Sequence, residues 1–308
     1  MKILLTGGAG FIGSNVADRY LEMGHDVIII DNLVTGKKEN IPSGAKFYEL
    51  DICDEGISQV FAEEKPDILN HHAAQMDVRK SVADPIYDAE INVIGGLNLF
   101  QNCVKYQVKK VVFASTGGAI YGEQDYFPAD EKHPLRPLSP YGITKLTTEK
   151  YLYFYQQSCS LDYTILRYAN VYGPRQNPHG EAGVVAIFSQ KILAGEEPII
   201  NGDGLQTRDY VYVQDVVKAN ELALNQGKNM IYNIGTGLET NVNELFQLIV
   251  KNIGKVVPEK HGPAKPGEQK RSVLDANLIK EELGWSPRFP LEQGIKTTVN
   301  FFKNRSND

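Results

Sequence analysis

Short apolar runs alternate with longer stretches of helical periodicity through the first half of the chain. Lys2-Ile3-Leu4-Leu5 reads as a strand that stops at Thr6-Gly7-Gly8. A helix is predicted from Phe11 to Met23, with Gly24 as its left-handed stop. Val27 to Ile30 is β-branched throughout, the composition of a strand buried on both faces, and runs into Asp31. Further strands are expected at Lys46–Leu50, Asp67–Asn70, Lys110–Ala114 and Asp162–Arg167, with helices over Pro85–Tyr106 and Pro140–Gln157. Strands alternating with helices predict an α/β fold, a doubly wound parallel sheet covered on both sides.

The second half changes texture. Asn170–Gly180 carries two glycines and two prolines and reads as a long irregular loop, and further loops are expected at Asn201–Gly204 and His261–Gly267. A smaller mixed α+β unit is predicted there. The sheet-bearing domain is expected over residues 1–168 with about 209–236, and the second domain over about 169–208 and 237–308.

Composition narrows the partners. The 308 residues are 42% hydrophobic with a formal charge of −6, ample for a large core and unsuited to a phosphate backbone as the main partner. No run approaches the ~20 apolar residues of a membrane span. The apolar N-terminus is broken by glycines and does not read as a signal peptide, so the cytoplasm is expected. Cys53, Cys103 and Cys159 are odd in number and far apart, and the six histidines lack ligand spacing, so neither a disulfide scaffold nor a metal site is expected.

The candidate chemistry begins at Gly7-Gly8-Ala9-Gly10-Phe11-Ile12-Gly13, between a strand and a helix. Gly7 permits the tight turn, Gly10 lets backbone approach a pyrophosphate, Gly13 lets helix and sheet pack closely, and the helix N-terminus offers N–H groups to phosphate. Asp31, 18 residues past Gly13, stands where a carboxylate accepts from the adenosine ribose hydroxyls, with no Arg or Lys directly after it. That pattern predicts NAD as cofactor in preference to NADP. Asp51 after the third strand is a candidate for the adenine edge, with a helix N-cap as the alternative.

Tyr141 and Lys145 open a helix at i and i+4 and so share a face. A phenol is a poor base near neutral pH, but an adjacent ammonium favours the phenolate, making a proton acceptor beside a hydride acceptor. About 25 residues earlier a strand end supplies the hydroxyls of Ser115 and Thr116.

With these motifs on the page, from TGGAGFIGS at the start to LGWSPRFPLEQGI near the end, the chain resembles the extended short-chain dehydrogenases/reductases, specifically UDP-glucose 4-epimerase-like nucleotide-sugar epimerases. The resemblance covers almost the whole chain. It implies 4-epimerisation of a UDP-hexose through a transient 4-keto sugar, with tightly held NAD. It implies that Phe11, Ile12, Asp31, Asn32, Thr35, Gly36, Asp51, Ile52, His72, Ala73, Ala74, Gln75, Asn92 and Tyr168 line the NAD site. Tyr141 would be the base, Lys145 its ribose-binding activator, and Thr116 the catalytic hydroxyl, with Ser115 as the alternative. Asn170, Gly183, Val184, Arg208, Lys265 and Glu268 would bind the nucleotide-sugar, Arg208 gripping phosphate unless it is spent on Asp203 or Asp209.

Two departures bear on specificity. Lys265-Pro266-Gly267-Glu268 replaces the family's Arg-Pro-Gly-Asp, and the segment from Phe113 to Tyr121 is one residue longer than the commonest form. Related dehydratases carry an Asp-Glu pair after the hydroxyl residue; Gly117 and Gly118 stand here, which disfavours dehydration. The aromatic that excludes 2-acetamido sugars in related epimerases is replaced by Ser272, so N-acetyl sugars are expected to be accepted. Epimerases of UDP-uronic acids or pentoses and a non-catalytic NAD-binding protein are the other readings left open. Tyr151, Tyr153, Phe154 and Tyr155 on the helix after Tyr141 exceed what a solvated face carries, and with the resemblance they predict a homodimer.

Overall fold

The structure is a computed structural model that describes residues 1–178, 183–265 and 269–305. The alternation runs β1 (Lys2–Thr6), α1 (Phe11–Glu22), β2 (Asp26–Asp31), β3 (Lys46–Glu49), α2 (Ile57–Glu64), β4 (Ile68–His71), α3 (Val78–Ala83), α4 (Pro85–Ala89), a π-helical segment (Glu90–Gly95), α5 (Gly96–Lys105), β5 (Lys110–Thr116), α6 (Gly117–Ile120), α7 (Pro140–Cys159) and β6 (Asp162–Tyr168). There follow β7 (Asn170–Tyr172), α8 (Val184–Leu193), β8 (Ile199–Asn201), β9 (Thr207–Arg208), β10 (Tyr210–Tyr212), α9 (Val213–Asn225), β11 (Met230–Ile234), β12 (Thr240–Asn241), α10 (Val242–Ile253), β13 (Lys260–Gly262), β14 (Arg271–Ser272), α11 (Asn277–Leu283) and α12 (Leu291–Arg305).

Seven parallel strands form one sheet in the order β11-β6-β5-β4-β1-β2-β3, the doubly wound α/β architecture expected, with its switch point between β1 and β4. Strand side chains alternate between two cores. Ile3, Leu5, Val27, Ile29 and Val112 pack under α1 and α9, whereas Leu4, Ile28, Ile30, Val111 and Phe113 pack under α2, α5 and α7. A third core joins α8, α10 and α12 through Phe188, Ile192, Leu245, Phe246, Ile249, Ile295 and Val299.

Local signals account for the element ends. Gly24 adopts φ +77° after α1, and Ser139-Pro140 starts α7, with Ser139 Oγ accepting from Gly142 N at 3.2 Å. Three expectations change. Asn201, His261 and Gly262, expected in loops, belong to β8 and β13, which pair in parallel. Asn170–Tyr172 is a strand rather than loop, paired in parallel with β10; three residues are too few to show a period, and Val171, Tyr172 and Tyr210 gain burial from the pairing. The helix expected over Pro85–Tyr106 begins at Pro85, capped by Asp84, but widens at Glu90–Gly95 into a π-helical segment.

Arg167 of β6 and Glu149 of α7 form a two-pronged ion pair, Nε–Oε1 3.0 Å and Nη2–Oε2 2.6 Å, with both side chains 2% exposed. Arg167 Nη1 donates to Tyr121 Oη, which donates to Asn233 Oδ1. Glu149→Ala strands a buried guanidinium and is expected to cost about 3–5 kcal/mol in urea unfolding, much more than the paired Glu149→Met/Arg167→Met replacement.

Candidate functional site

All of β1, β2, β4, β5 and β6 deliver their C-terminal ends to one cleft of about 300 Å³, lined by the glycine turn, the Asp31 loop, the His72–Gln75 segment, Ser115, Tyr141, Lys145 and Tyr168. The turn is built as its sequence demands. Gly7 has φ +70°, and a Cβ there would lie 2.6 Å from Ala73 N; one on Gly13 would lie 2.2 Å from Gly7 O. No side chain caps Gly10 at the start of α1, so the first-turn amides of Phe11 and Ile12 stand uncapped at the cleft wall. Asp31 ties its loop to the turn: Oδ2 accepts from Ala9 N at 3.0 Å and Oδ1 from Leu33 N at 2.8 Å. Burial raises its pKa, and these two amide bonds oppose that rise.

At the other end of the cleft, α7 holds Tyr141 and Lys145 on one face. Lys145 Nζ lies 5.9 Å from the Tyr141 ring centroid and donates to Ala114 O at 2.9 Å. Burial pulls its ammonium down to about 8, against the upward pull of the Asp88 and Glu149 carboxylates. Tyr141 N donates to Ser81 Oγ at 3.2 Å, fixing the start of α7 to α3. His71 Nδ1 meets Thr6 Oγ1 at 2.8 Å, and His72 Nε2 meets Tyr168 Oη at 3.3 Å with the two rings stacked. Burial holds both imidazoles neutral, His72 at about 3.

The cleft gathers Gly7, Gly10, Phe11, Ile12, Gly13, Asp31, Asn32, Thr35, Asp51, Ile52, His72, Ala73, Ala74, Gln75, Ser115, Tyr141, Lys145 and Tyr168. Three other residues lie off its wall. Gly36 packs behind Asp31, where a Cβ would come 2.7 Å from Oδ1. Asn92 is buried beneath Gln75, accepting from Gln75 N and donating to Gln75 O, each at 2.8 Å. Thr116 ends β5 just outside, beside Asn170: a Cβ on Gly118 would lie 3.9 Å from Thr116 Oγ1 and 3.7 Å from Asn170 Oδ1. Asp51 caps no helix, since α2 begins only at Ile57; its carboxylate accepts from Asn32 Nδ2 at 2.6 Å and Cys53 N at 2.9 Å.

The remaining candidates come from the second half of the chain and stand apart from this wall. Asn170 opens β7, Gly183 precedes α8 and Val184 begins it, and Lys265 is exposed in the loop after β13. Glu268 lies outside the described residues. Arg208 on β9 donates to Thr207 O at 2.7 Å and pairs in register with Ser272. Asp209, one of the two carboxylates expected as an alternative ion-pair partner for Arg208, is buried and accepts from Thr236, Gly237 and Leu274. Sequence patterns missed Lys37, Met76, Lys80, Tyr87, Arg175 and Asn177, which also line the cleft. Lys80 Nζ sits 4.1 Å above the Tyr87 ring, a contact between α3 and α4 that no spacing rule announces.

A parallel doubly wound sheet with a glycine turn, an acidic second-strand end and a Tyr-x-x-x-Lys helix at one cleft defines a dinucleotide-binding short-chain dehydrogenase/reductase architecture. Residues 3–235 match the NAD dependent epimerase/dehydratase family, and the chain belongs to that family. It is 50% identical over 304 residues to a putative UDP-glucose 4-epimerase of Methanocaldococcus jannaschii, covering 99% of each chain. The fold superposes with a TM-score of 0.98 on the UDP-glucose 4-epimerase of Thermotoga maritima with UDP-glucose, at 51% identity over 99% of this chain and 100% of that one. A Thermus thermophilus UDP-glucose 4-epimerase in complex with NAD gives 0.95 at 46% identity over 98% and 99%.

Lys145 makes the cleft unstable by itself. Between pH 8 and its ordinary value of 10.5 the unfolded chain binds the extra proton, so stability rises with pH across that window and the cost is fully present below it. In the cofactor-free chain, Lys145→Met is expected to raise the unfolding free energy by about 2 kcal/mol at neutral pH. The gain should vanish above pH 10.5, as urea titrations on either side of the window will show.

Proposed function

We propose that the chain catalyses NAD-dependent 4-epimerisation of a UDP-hexose, interconverting UDP-glucose and UDP-galactose through a transient 4-keto sugar. One observation carries this: Tyr141 and Lys145 share a face of α7 on the wall of the cleft that the glycine turn and Asp31 complete. NAD fits the residues present. The uncapped amides of Phe11 and Ile12 suit a pyrophosphate, and the anchored Asp31 carboxylate suits ribose hydroxyls and opposes a 2′-phosphate. The solved relatives with UDP-glucose and with NAD support the pairing of ligands.

Bound NAD supplies a hydride acceptor that returns the hydride it receives. Tyr141 takes the proton of the sugar 4-hydroxyl and gives it back after the sugar has presented its other face. Lys145 favours the phenolate that this requires. Ser115 Oγ donates to Glu149 Oε1 at 2.6 Å, which commits its proton and leaves Thr116 as the hydroxyl that orients the sugar beside Asn170. Arg208, Asn170, Gly183, Val184, Lys265 and Glu268 are assigned to the nucleotide-sugar, and the division at about residues 168, 209 and 236 separates cofactor from sugar binding. Dehydration has no acid to perform it where Gly117 and Gly118 open α6. The small, buried Ser272 beside Arg208 favours N-acetyl sugars as further substrates.

We further assign a homodimer, a cytoplasmic location and a place in galactose metabolism. Among the described residues no helix is long and apolar enough to cross a membrane. Tyr155 is buried, but Ile86 is 72% exposed, Ile94 56%, Ile143 51%, Tyr153 57% and Phe154 53%, on two neighbouring helical stretches that suit a second copy.

Purified protein incubated with UDP-galactose and no added coenzyme should generate the anomeric proton signal of UDP-glucose. Its absence even with added NAD would overturn the proposal. Tyr141→Phe should lower kcat by about 10²–10⁴-fold. Sedimentation should give twice the 34.3 kDa chain mass, and Phe154→Asp should return it to the single mass.

A further inference from the structure

Asp88 lies one turn into the helix that begins at Pro85 and is fully buried, yet it lies off the cleft wall. Its carboxylate collects three donors from three segments. Gln75 Nε2 reaches Oδ1 at 2.8 Å, Asn92 Nδ2 reaches Oδ1 at 3.1 Å, and Thr144 Oγ1 reaches Oδ2 at 2.7 Å. Gln75 belongs to the cleft wall, Asn92 to the π-helical segment, and Thr144 is the residue before Lys145. Thr148, one turn further along α7, donates to Asn92 O at 3.0 Å and closes the network. The π-helical widening carries Asn92 in this network, bridging Asp88, Gln75 and Thr144.

All three donors are neutral. A buried carboxylate held only by neutral donors keeps its charge unneutralised, and nearby charges feel it strongly because little water screens it. The other carboxylate near Lys145 differs: Glu149 is paired two-pronged with Arg167. The remaining groups that face Lys145 are Tyr141 on its own helix, Phe113 and the Ala114 carbonyl on β5, His71 at the end of β4 and His72 just after it, both neutral by burial. Among the described residues, Asp88 is thus the one negative charge facing Lys145 that no cation offsets, and of the groups that favour its ammonium it acts most strongly.

We propose that Asp88 is a positioning residue for the Tyr141–Lys145 pair: its buried carboxylate locks the base helix to the Gln75 segment and supplies the negative charge that keeps Lys145 an ammonium. The inference rests on the epimerase reading, in which Lys145 must stay charged to favour the Tyr141 phenolate. On that reading, loss of the Lys145 proton sets the alkaline limb of kcat.

Asp88→Asn removes the charge while keeping the shape. Its amide oxygen still accepts from Gln75 and Asn92. Its NH2 would donate to Thr144 Oγ1, whose own proton has Tyr141 O as an acceptor at 3.0 Å. With UDP-galactose as substrate and NAD-loaded enzyme, the alkaline limb of kcat should move down by about one pH unit, so that kcat on that flank falls about tenfold. KM for UDP-galactose should stay within about twofold of the parent. A uniform loss of kcat at every pH, with the limb in place, would mean that Asp88 is structural and would overturn the proposal. Should Asp88→Asn fail to fold, Thr144→Val tests the positioning half. It keeps the charge and breaks one tie, so kcat should fall with KM unchanged, and an unchanged kcat would overturn that half. An inactive parent enzyme would count against the epimerase reading itself, which separates the two failures.

Discussion

A single buried ammonium organises the polar interior of this protein. Lys145 is 4% exposed, and a charge taken that far from water must be answered by nearby polar groups. The answer comes from four directions: the Ala114 carbonyl at the end of β5, the faces of Phe113 and Tyr141, Glu149 along the same helix, and Asp88 from the helix alongside. Each partner brings its own requirements. Glu149 needs Arg167, Arg167 reaches Tyr121, and Tyr121 reaches Asn233, so the chain of buried polar contacts runs from α7 across the sheet to β11. Asp88 needs Gln75, Asn92 and Thr144, which couples the same helix to the wall of the cleft.

This arrangement is possible because the strands are parallel. Every strand presents its C-terminal end on the same edge, and the switch point between β1 and β4 leaves that edge open to a ligand. The apolar alternation of the strands, one set of side chains under α1 and α9 and the other under α2, α5 and α7, supplies the rigid floor. Polar groups sit where the apolar pattern stops: Thr6, Asp31, His71, Ser115 and Tyr168 are all at or next to strand ends. The same logic explains why the cleft-forming glycines cannot change. The Gly13 site is filled by the carbonyl of Gly7, and the Gly7 site by the backbone of Ala73.

The second half of the chain uses different physics. Apart from β11, which joins the main sheet, its strands are two or three residues long and pair in small sheets, beside a core of α8, α10 and α12. Asp209 stitches β9 and β10 to the Thr236–Gly237 turn and to Leu274 through four donors, holding segments far apart in sequence beside the sheet. Short strands of this kind leave no period to read, which is why Asn170–Tyr172 resembles loop in sequence and is strand in space.

The sequence by itself determined whatever depends on neighbours along the chain. The β-branched run Val27–Ile30, the turn glycines, the Ser139-Pro140 start of α7 and the four-residue spacing of Tyr141 and Lys145 are local, and backbone sterics and helical geometry act on them directly. Asp31 and the glycine turn were legible for the same reason. Tertiary structure alone decided which polar groups meet across the fold. Ser115, not Thr116, is bound to Glu149; Asn92 lies under Gln75 rather than on the cleft wall; Lys80 lies over Tyr87; and Asp88, ordinary in sequence, becomes a buried charge close to Lys145. Those meetings depend on how helices dock on a sheet, and hydrogen bonds between residues tens of positions apart leave no periodic mark on the chain.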